Sequence, residues 1–190
     1  MKHFLYAAAV ALMAAPAAQA IDAQTAMQSY LDAHFREWSG DATILAAVTA
    51  QNARTAELTA AEIDQLDKAW RAEVGTADTP TITPVLENPA ADLLREKVAA
   101  SGGAITEIFV MDAQGLNVAA SSVTSDYWQG DEAKHQDTFG KGARAVHFSD
   151  IEFDESSQMY QAQISISLSD PDTGAVIGAM TIGVDADSLM

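Results

Sequence analysis

The spacing of apolar residues divides the chain into a helical first half and an extended second half. Between residues 27 and 48, large apolar side chains recur every three or four positions, the period of one helix face: Met27, Tyr30, Leu31, Phe35, Trp38, Leu45 and Val48. Ser39-Gly40-Asp41 interrupts this stripe, and we expect Asp41 to cap a second helix that continues through Asn52. The pattern predicts a long N-terminal helix with one break.

Two further helices are predicted from their end signals. Thr59 and Glu62 have the spacing of a capping box, and Gly75 marks the end of that helix. Asn88-Pro89 places a capping side chain before a proline at the first helical position, and Ser101-Gly102-Gly103 ends the second helix. The helical part therefore extends to residue 103.

After Gly103, the period of the apolar positions becomes that of extended strands. Strands are predicted at 105–111, 116–121, 158–168 and 175–184, with short strand segments at 146–148 and 151–153. A long connector, from Ser122 to about Ala145, joins the second strand to the third and contains a short helix near 131–138. The whole predicts an α+β fold, in which a five-stranded antiparallel sheet packs on the long N-terminal helix and the additional helices.

The strand over 158–168 alternates strictly. One face carries Tyr160, Ala162, Ile164, Ile166 and Leu168, and the opposite face carries Gln161, Gln163, Ser165 and Ser167. Polar residues at every second position either face water or line a pocket with amide and hydroxyl groups. The sequence leaves both alternatives open.

The N-terminus has the pattern of a secretory signal peptide. Lys2 precedes an apolar run over residues 4–15, and Ala18-Gln19-Ala20 has the form of a signal-peptidase site. We therefore expect three segments: a signal peptide at 1–20, a helical segment at 21–103, and a sheet with its connector at 104–190. The mature protein is expected to be periplasmic or secreted, with no stable membrane insertion.

Composition removes several function classes. The chain has 10 Lys and Arg against 27 Asp and Glu, a net charge of −17. Such a surface repels phosphate backbones, so no nucleic-acid partner is expected. The chain has no cysteine, which excludes disulfides and thiolate metal sites. No common hydrolase, nucleotide-binding or zinc-protease motif is present, and the sequence predicts a protein that is not an enzyme.

An acidic segment raises the question of a metal site. Asp150, Glu152 and Asp154 fall on one side of an extended stretch, followed by Glu155. Several carboxylates suit a hard cation such as calcium, but an exposed charged strand edge explains them more simply. No metal and no cofactor is predicted.

The connector carries the residues that most suggest binding. Tyr127 and Trp128 are adjacent in a polar stretch, where they either wall a pocket or fill the core beneath the connector. Lys134, Lys141 and Arg144 are the only cations after residue 103. They either hold an anionic group of a ligand or balance nearby carboxylates on a solvated face.

The second half of the chain resembles extracytoplasmic Cache (PDC, PAS-like) sensor domains. The resemblance lies in 105–112, 115–119, 125–132, 170–174 and 177–179, and it includes Ser125-Asp126-Tyr127-Trp128 and Asp170-Pro171-Asp172-Thr173-Gly174. It implies a PAS-like sheet that binds a small molecule for signalling or chemotaxis. A membrane-bound receptor or kinase is then a candidate partner, and a homodimer through the N-terminal helix is expected.

The ligand predicted from these residues is an amino acid or a small organic acid. Trp128 would wall the pocket, Asp126 or Asp131 would receive an ammonium group, and one of the three cations would hold a carboxylate. The predicted ligand-binding residues are Asp126, Tyr127, Trp128, Asp131, Lys134, Arg144, Tyr160 and Gln163. The alternatives are a non-catalytic structural or adaptor protein acting through helix-mediated association, and a hydrolase with an unrecognised site.

Overall fold

The computed structural model describes residues 15–154 and 157–189 of the chain. In this part the α-helices are α1 (Ala15–Tyr30), α2 (Ala42–Thr55), α3 (Ala60–Glu73), α4 (Thr83–Leu86), α5 (Pro89–Ala100) and α6 (Ala133–Gln136). The strands are β1 (Ile105–Met111), β2 (Asn117–Ala120), β3 (Val146–Phe148), β4 (Glu152–Asp154), β5 (Met159–Ser169) and β6 (Val176–Asp185). The chain therefore has the helical first half and extended second half that its sequence predicts.

The N-terminal helix is broken where the sequence predicts. A π-helical turn (Leu31–Phe35) and a 3₁₀ turn (Arg36–Gly40) follow α1. The Asp41 side chain then caps α2 by accepting hydrogen bonds from the backbone N–H groups of Thr43 (2.8 Å) and Ile44 (3.4 Å). The apolar stripe is buried against the sheet of the same chain, at Met27, Leu31, Phe35, Leu45 and Val48. The homodimer through the N-terminal helix stays a prediction.

The capping predictions for the next helices are confirmed. Thr59 and Glu62 form a reciprocal capping box at the start of α3. Asn88 accepts a hydrogen bond from the Ala91 N–H at the start of α5, where Pro89 occupies the first helical position. These local signals position α3 and α5 on the two sides of the sheet.

The sheet has the strand order β2-β1-β6-β5-β3, and every pair in it is antiparallel. β4 also pairs with β5, so the sheet has six strands among the described residues, and the prediction of five is wrong by one. β3 and β4 both pair with β5 and together form one edge of the sheet, which is interrupted after Phe148. There the Ser149 N–H donates to the Gln163 carbonyl (2.9 Å), and the Ser149 hydroxyl accepts from the Gln163 N–H (2.8 Å). The α+β fold class is confirmed.

The two faces of the sheet contact different elements. Ile164, Ile166 and Leu168 of β5 belong to a core formed with α1, α2 and α5. On the other face, Phe109 and Met111 of β1 pack against Trp70 of α3. On that second face Gln161, Ser165 and Ser167 are buried, and the Ser165 and Thr181 hydroxyls are 2.9 Å apart. At these three positions the polar face of β5 does not face water.

The predicted signal peptide falls largely outside the described residues, since its apolar run ends at residue 15. The predicted cleavage site after Ala20 lies within α1. Over the described part of the chain, no helix combines the length and apolar character needed to cross a membrane.

Candidate ligand-binding site

Trp70 of helix α3 contacts the first part of the connector. The indole N–H of Trp70 donates to the Thr124 carbonyl at 2.8 Å. The Trp70 ring also stacks on the Tyr127 ring, with centroids 5.4 Å apart and planes 15° from parallel. Trp70 is fully buried, so this contact anchors the connector to the core.

A carboxylate of α3 makes a second attachment. Asp67 accepts hydrogen bonds from the backbone N–H groups of Tyr127 (3.0 Å) and Trp128 (3.1 Å). Arg71, one helical turn later, pairs with Asp67 at 2.8 Å and with Asp126 at 3.0 Å. The connector backbone and the Asp126 side chain are thus positioned by the same turn of α3.

Beneath the connector, a cavity of about 350 Å³ opens over the polar face of the sheet. We call it the connector cavity. It is lined by Ser125 and Asp126, by Glu132, Ala133 and Lys134 around the start of α6, by His147 and Ser149 near β3, by β4, and by Gln161 and Gln163 of β5. Its volume lies at the lower end of the range for small-molecule sites.

The lining of the connector cavity is strongly acidic. It contains four carboxylates, from Asp126, Glu132, Glu152 and Asp154, against one ammonium group, that of Lys134. Lys134 pairs with Glu132 at 2.9 Å and donates to the Gln129 amide oxygen at 3.2 Å. Since a neighbouring carboxylate already neutralises this cation, the cavity presents net negative charge.

Glu107 of β1 adds a fifth carboxyl group behind the lining. Its side chain is only 4% exposed, and its Oε1 accepts hydrogen bonds from the Gln161 (2.9 Å) and Gln163 (3.1 Å) amides. Burial raises the pKa of Glu107, and the charge of Asp154 raises it further. The hydrogen bond from Gln161 and the charge of Lys134 lower this pKa, but the net shift is upward. The Gln161 and Gln163 amides are therefore oriented by the carboxyl group of Glu107, whose pKa lies above the ordinary glutamate value.

Partial burial also raises the pKa of Asp126, and Arg71 opposes this shift. Because Asp126 borders the cavity and contacts Arg71, it links the cavity to α3. A cationic group entering the cavity would stabilise the ionised form of Asp126.

The structure brings three of the predicted site residues to the connector cavity: Asp126, Lys134 and Gln163. Gln161, which the sequence also placed on the polar face, joins them. They come from the connector, α6 and β5, so the predicted combination of connector and sheet residues occurs in one place.

The two predicted aromatic residues of the connector point elsewhere. Tyr127 lies against Trp70, and burial raises its pKa to about 12. The Trp128 indole N–H donates to the Gln114 carbonyl at 2.9 Å, beside Asp131 on the outer side of the connector. The connector cavity is therefore not lined by Tyr127, Trp128 or Asp131. The Tyr127 ring packs against α3, and the Trp128 ring bonds to the turn between β1 and β2.

The remaining predicted residues also lie outside the cavity. Arg144 follows the turn at Gly142, where both residues adopt positive φ, and it lies in a separate depression with Arg36. Tyr160 is 63% exposed and packs edge-on against Phe153. Lys141 lies 3.6 Å from Asp137 in an exposed pair.

Several residues of this region were missed by the sequence analysis. Asp67 and Arg71 are about 60 positions from their connector partners, and nothing local connects them. Glu107 could have been identified from the sequence, because it is the only charged residue in the apolar strand β1. An acid at such a position indicates a buried polar partner or a site.

The acidic edge does not form a metal site in the described residues, where no group of three or more His, Asp or Glu side chains is close enough to hold an ion. Glu155, the last acid of the proposed set, lies outside the described residues.

No family model matches the chain, and no curated protein matches it. Solved structures do. The sensor domain of the V. cholerae histidine kinase DctB is 15% identical over 91% of this chain and 55% of its own, with a TM-score of 0.48. The ligand-binding domain of the Campylobacter jejuni chemoreceptor Tlp3, in complex with L-valine, is 12% identical over 89% of this chain and 65% of its own, with a TM-score of 0.44.

The ligand-binding domain of the Pseudomonas fluorescens chemoreceptor CtaA, in complex with L-alanine, is 17% identical over 75% of this chain and 57% of its own, with a TM-score of 0.41. This chain thus spans between 55% and 65% of the length of these three structures. These three neighbours are a sensor domain of a histidine kinase and ligand-binding domains of two chemoreceptors.

Proposed function

We propose that this protein is an exported sensor domain of the Cache type that binds a small amine-bearing molecule, such as an amino acid, in the connector cavity. The observation that carries the proposal is the cavity itself. It joins carboxylates of the connector and of β4 to the oriented amides of Gln161 and Gln163 on the sheet. A few polar groups converging on one cavity are typical of small-molecule sites.

The charge of the cavity favours a ligand with an ammonium group. Such a group would meet Asp126 and the β4 carboxylates, and charge-assisted hydrogen bonds of this kind are worth about 1.5–3 kcal/mol each. A small organic acid, the other ligand class indicated by the sequence, has no ammonium group to offset the cost of placing its carboxylate among four acidic side chains. Its only ammonium partner in the lining would be Lys134, which Glu132 already neutralises.

The position of Asp126 suggests how binding would be communicated. Asp126 borders the cavity and also pairs with Arg71 of α3. A ligand ammonium group would compete with Arg71 for this carboxylate, and so alter the attachment of the connector to α3. A membrane-bound receptor or kinase is the partner that would respond to such a change.

The test is a thermal-shift screen of amino acids, amines and carboxylates, followed by calorimetry on the compounds that stabilise the protein. A ligand at 100 times its dissociation constant adds about 2.7 kcal/mol to the unfolding free energy. We expect the stabilising compounds to carry an ammonium group, and Asp126→Asn to weaken their binding about tenfold or more, equivalent to about 1.4 kcal/mol.

Asp131→Asn is the matched control, because Asp131 is an acid of the same connector that lies outside the cavity. Equal effects of the two substitutions would contradict the proposed site. Stabilisation by carboxylates alone would contradict the proposed ligand class.

A further inference from the structure

A second cavity also borders the connector, at Tyr127. It is a groove of about 660 Å³ between α2 and the segment 80–90, with Val118 of β2 and Tyr127 also lining it. We call it the α2 groove. It shares no lining residue with the connector cavity.

The walls of the α2 groove are mainly small and apolar. Ala46, Ala47 and Ala50 of α2 form one side, and Leu66 of α3 and Val85 of α4 lie across from them. The small side chains of these three alanines leave the space open. An apolar body of drug-like size fits a cavity of this volume.

The charge of the α2 groove is opposite to the net charge of the protein, which is −17. The chain carries 27 acidic residues, yet none of the described residues that line the groove is acidic, and Arg54 gives it a positive charge. The carboxylate of Asp112, beneath the groove, is fully buried and accepts hydrogen bonds from Gln51 and Thr55 and from two backbone N–H groups.

Two polar groups of the groove have no partner among the described residues. Six of the nine Lys and Arg side chains in this part of the chain form ion pairs, but Arg54 makes neither an ion pair nor a hydrogen bond. The Tyr127 hydroxyl likewise has no hydrogen-bond partner in the described residues, although its ring is held by Trp70. An unpaired guanidinium and a positioned hydroxyl are the donors that a carboxylate needs.

From these observations we infer that the α2 groove is a second binding site, which takes a small carboxylate with an apolar body. The carboxylate pairs with Arg54 and accepts a hydrogen bond from Tyr127, and the apolar body lies along the alanines of α2. This site is independent of the proposed function, because it uses other residues and the opposite ligand charge.

The test uses two probes of the same shape, 3-phenylpropionate and 3-phenylpropan-1-ol, titrated into the isotopically labelled secreted protein and followed by NMR. We expect the carboxylate to shift the backbone amide signals of α2 and the side-chain signal of Arg54. We also expect it to bind about tenfold more tightly than the alcohol.

Arg54→Gln should remove this difference between the two probes, because Arg54 is exposed and its replacement leaves the core unchanged. Ala50→Trp should block both probes by filling the groove. Arg144→Gln is the matched control, an unpaired arginine outside the groove, and should bind like the unmodified protein.

The inference is overturned if the carboxylate causes no shift in α2 at about 10 mM, or if it binds no more tightly than the alcohol. It is also overturned if Arg54→Gln leaves the difference intact, or if the shifts lie in the connector cavity. Asp126→Asn, which tests the connector cavity, should leave binding in the groove unchanged, so the two sites can fail separately.

Discussion

Asp126 and Tyr127 are consecutive residues of the connector, yet they line different cavities. The carboxylate of Asp126 borders the acidic connector cavity, and the ring of Tyr127 borders the α2 groove. Two consecutive residues therefore border two cavities of opposite charge. Helix α3 holds this part of the connector through Asp67, Trp70 and Arg71.

We expect Asp67→Ala to lower the free energy of unfolding by about 1–3 kcal/mol, because it leaves the backbone N–H groups of Tyr127 and Trp128 without their acceptor. Asp64→Ala is the matched control, since Asp64 is also an acid of α3 that pairs with a base four residues later. That pair is exposed, so its loss should cost about 0.5 kcal/mol or less. Urea unfolding of the two variants measures the difference, and equal losses would show that Asp67 does not anchor the connector.

Glu107 should make the stability of the protein depend on pH in a specific direction. Because its pKa is raised in the folded chain, the folded state binds a proton more readily than the unfolded state. The contribution of this group to the unfolding free energy is therefore lost as the pH rises from about 4.3, the ordinary glutamate value, through the raised pKa.

Glu107→Gln keeps an oxygen for the Gln161 and Gln163 amides but cannot ionise. We expect this variant to gain stability relative to the unmodified protein as the pH rises above about 4.3, the ordinary glutamate pKa. Denaturant unfolding at several pH values checks this, and the other titrating groups cancel in the comparison. A difference that stays constant, or that shrinks with rising pH, would contradict it.

Gly115 should tolerate alanine less well than Gly75. Both glycines have positive φ, 83° and 78° respectively, so both substitutions strain the backbone. At Gly115 a Cβ atom would also meet the backbone of Gly130 in the connector, whereas at Gly75 the space is open. We expect Gly115→Ala to cost about 1–3 kcal/mol more than Gly75→Ala in thermal or urea unfolding. Equal costs would mean that the connector does not pack on this turn.

The secreted protein should begin at Ile21, as the signal-peptide pattern predicts. Cleavage there removes the start of α1 but keeps Met27 and Leu31, which are buried in the core. Mass spectrometry of the exported protein measures the N-terminal residue. An intact Met1 terminus in a membrane fraction would contradict the prediction.

Much of the fold was predictable because its signals are local. The caps at Asp41, Thr59 and Asn88 act within three residues, and the alternation of β5 separates its two faces without knowledge of the rest of the chain. Both short strands of this edge were predicted, but the total was counted as five, because β3 and β4 are segments of one edge that Ser149 interrupts where it bonds across to β5.

The candidate site was predictable only in part, because only some of its residues are marked by local sequence patterns. The sequence by itself determined that Asp126, Lys134 and Gln163 are polar residues of the connector and of one sheet face, the two elements that meet at the cavity. Tertiary structure alone decided that Glu107 bonds to Gln161 and Gln163, more than 50 positions away. It also decided that the Tyr127 ring stacks on Trp70. Periodicity and capping are properties of neighbouring residues. The partner of a buried carboxyl group or ring depends on which distant elements the packing of the core brings against it.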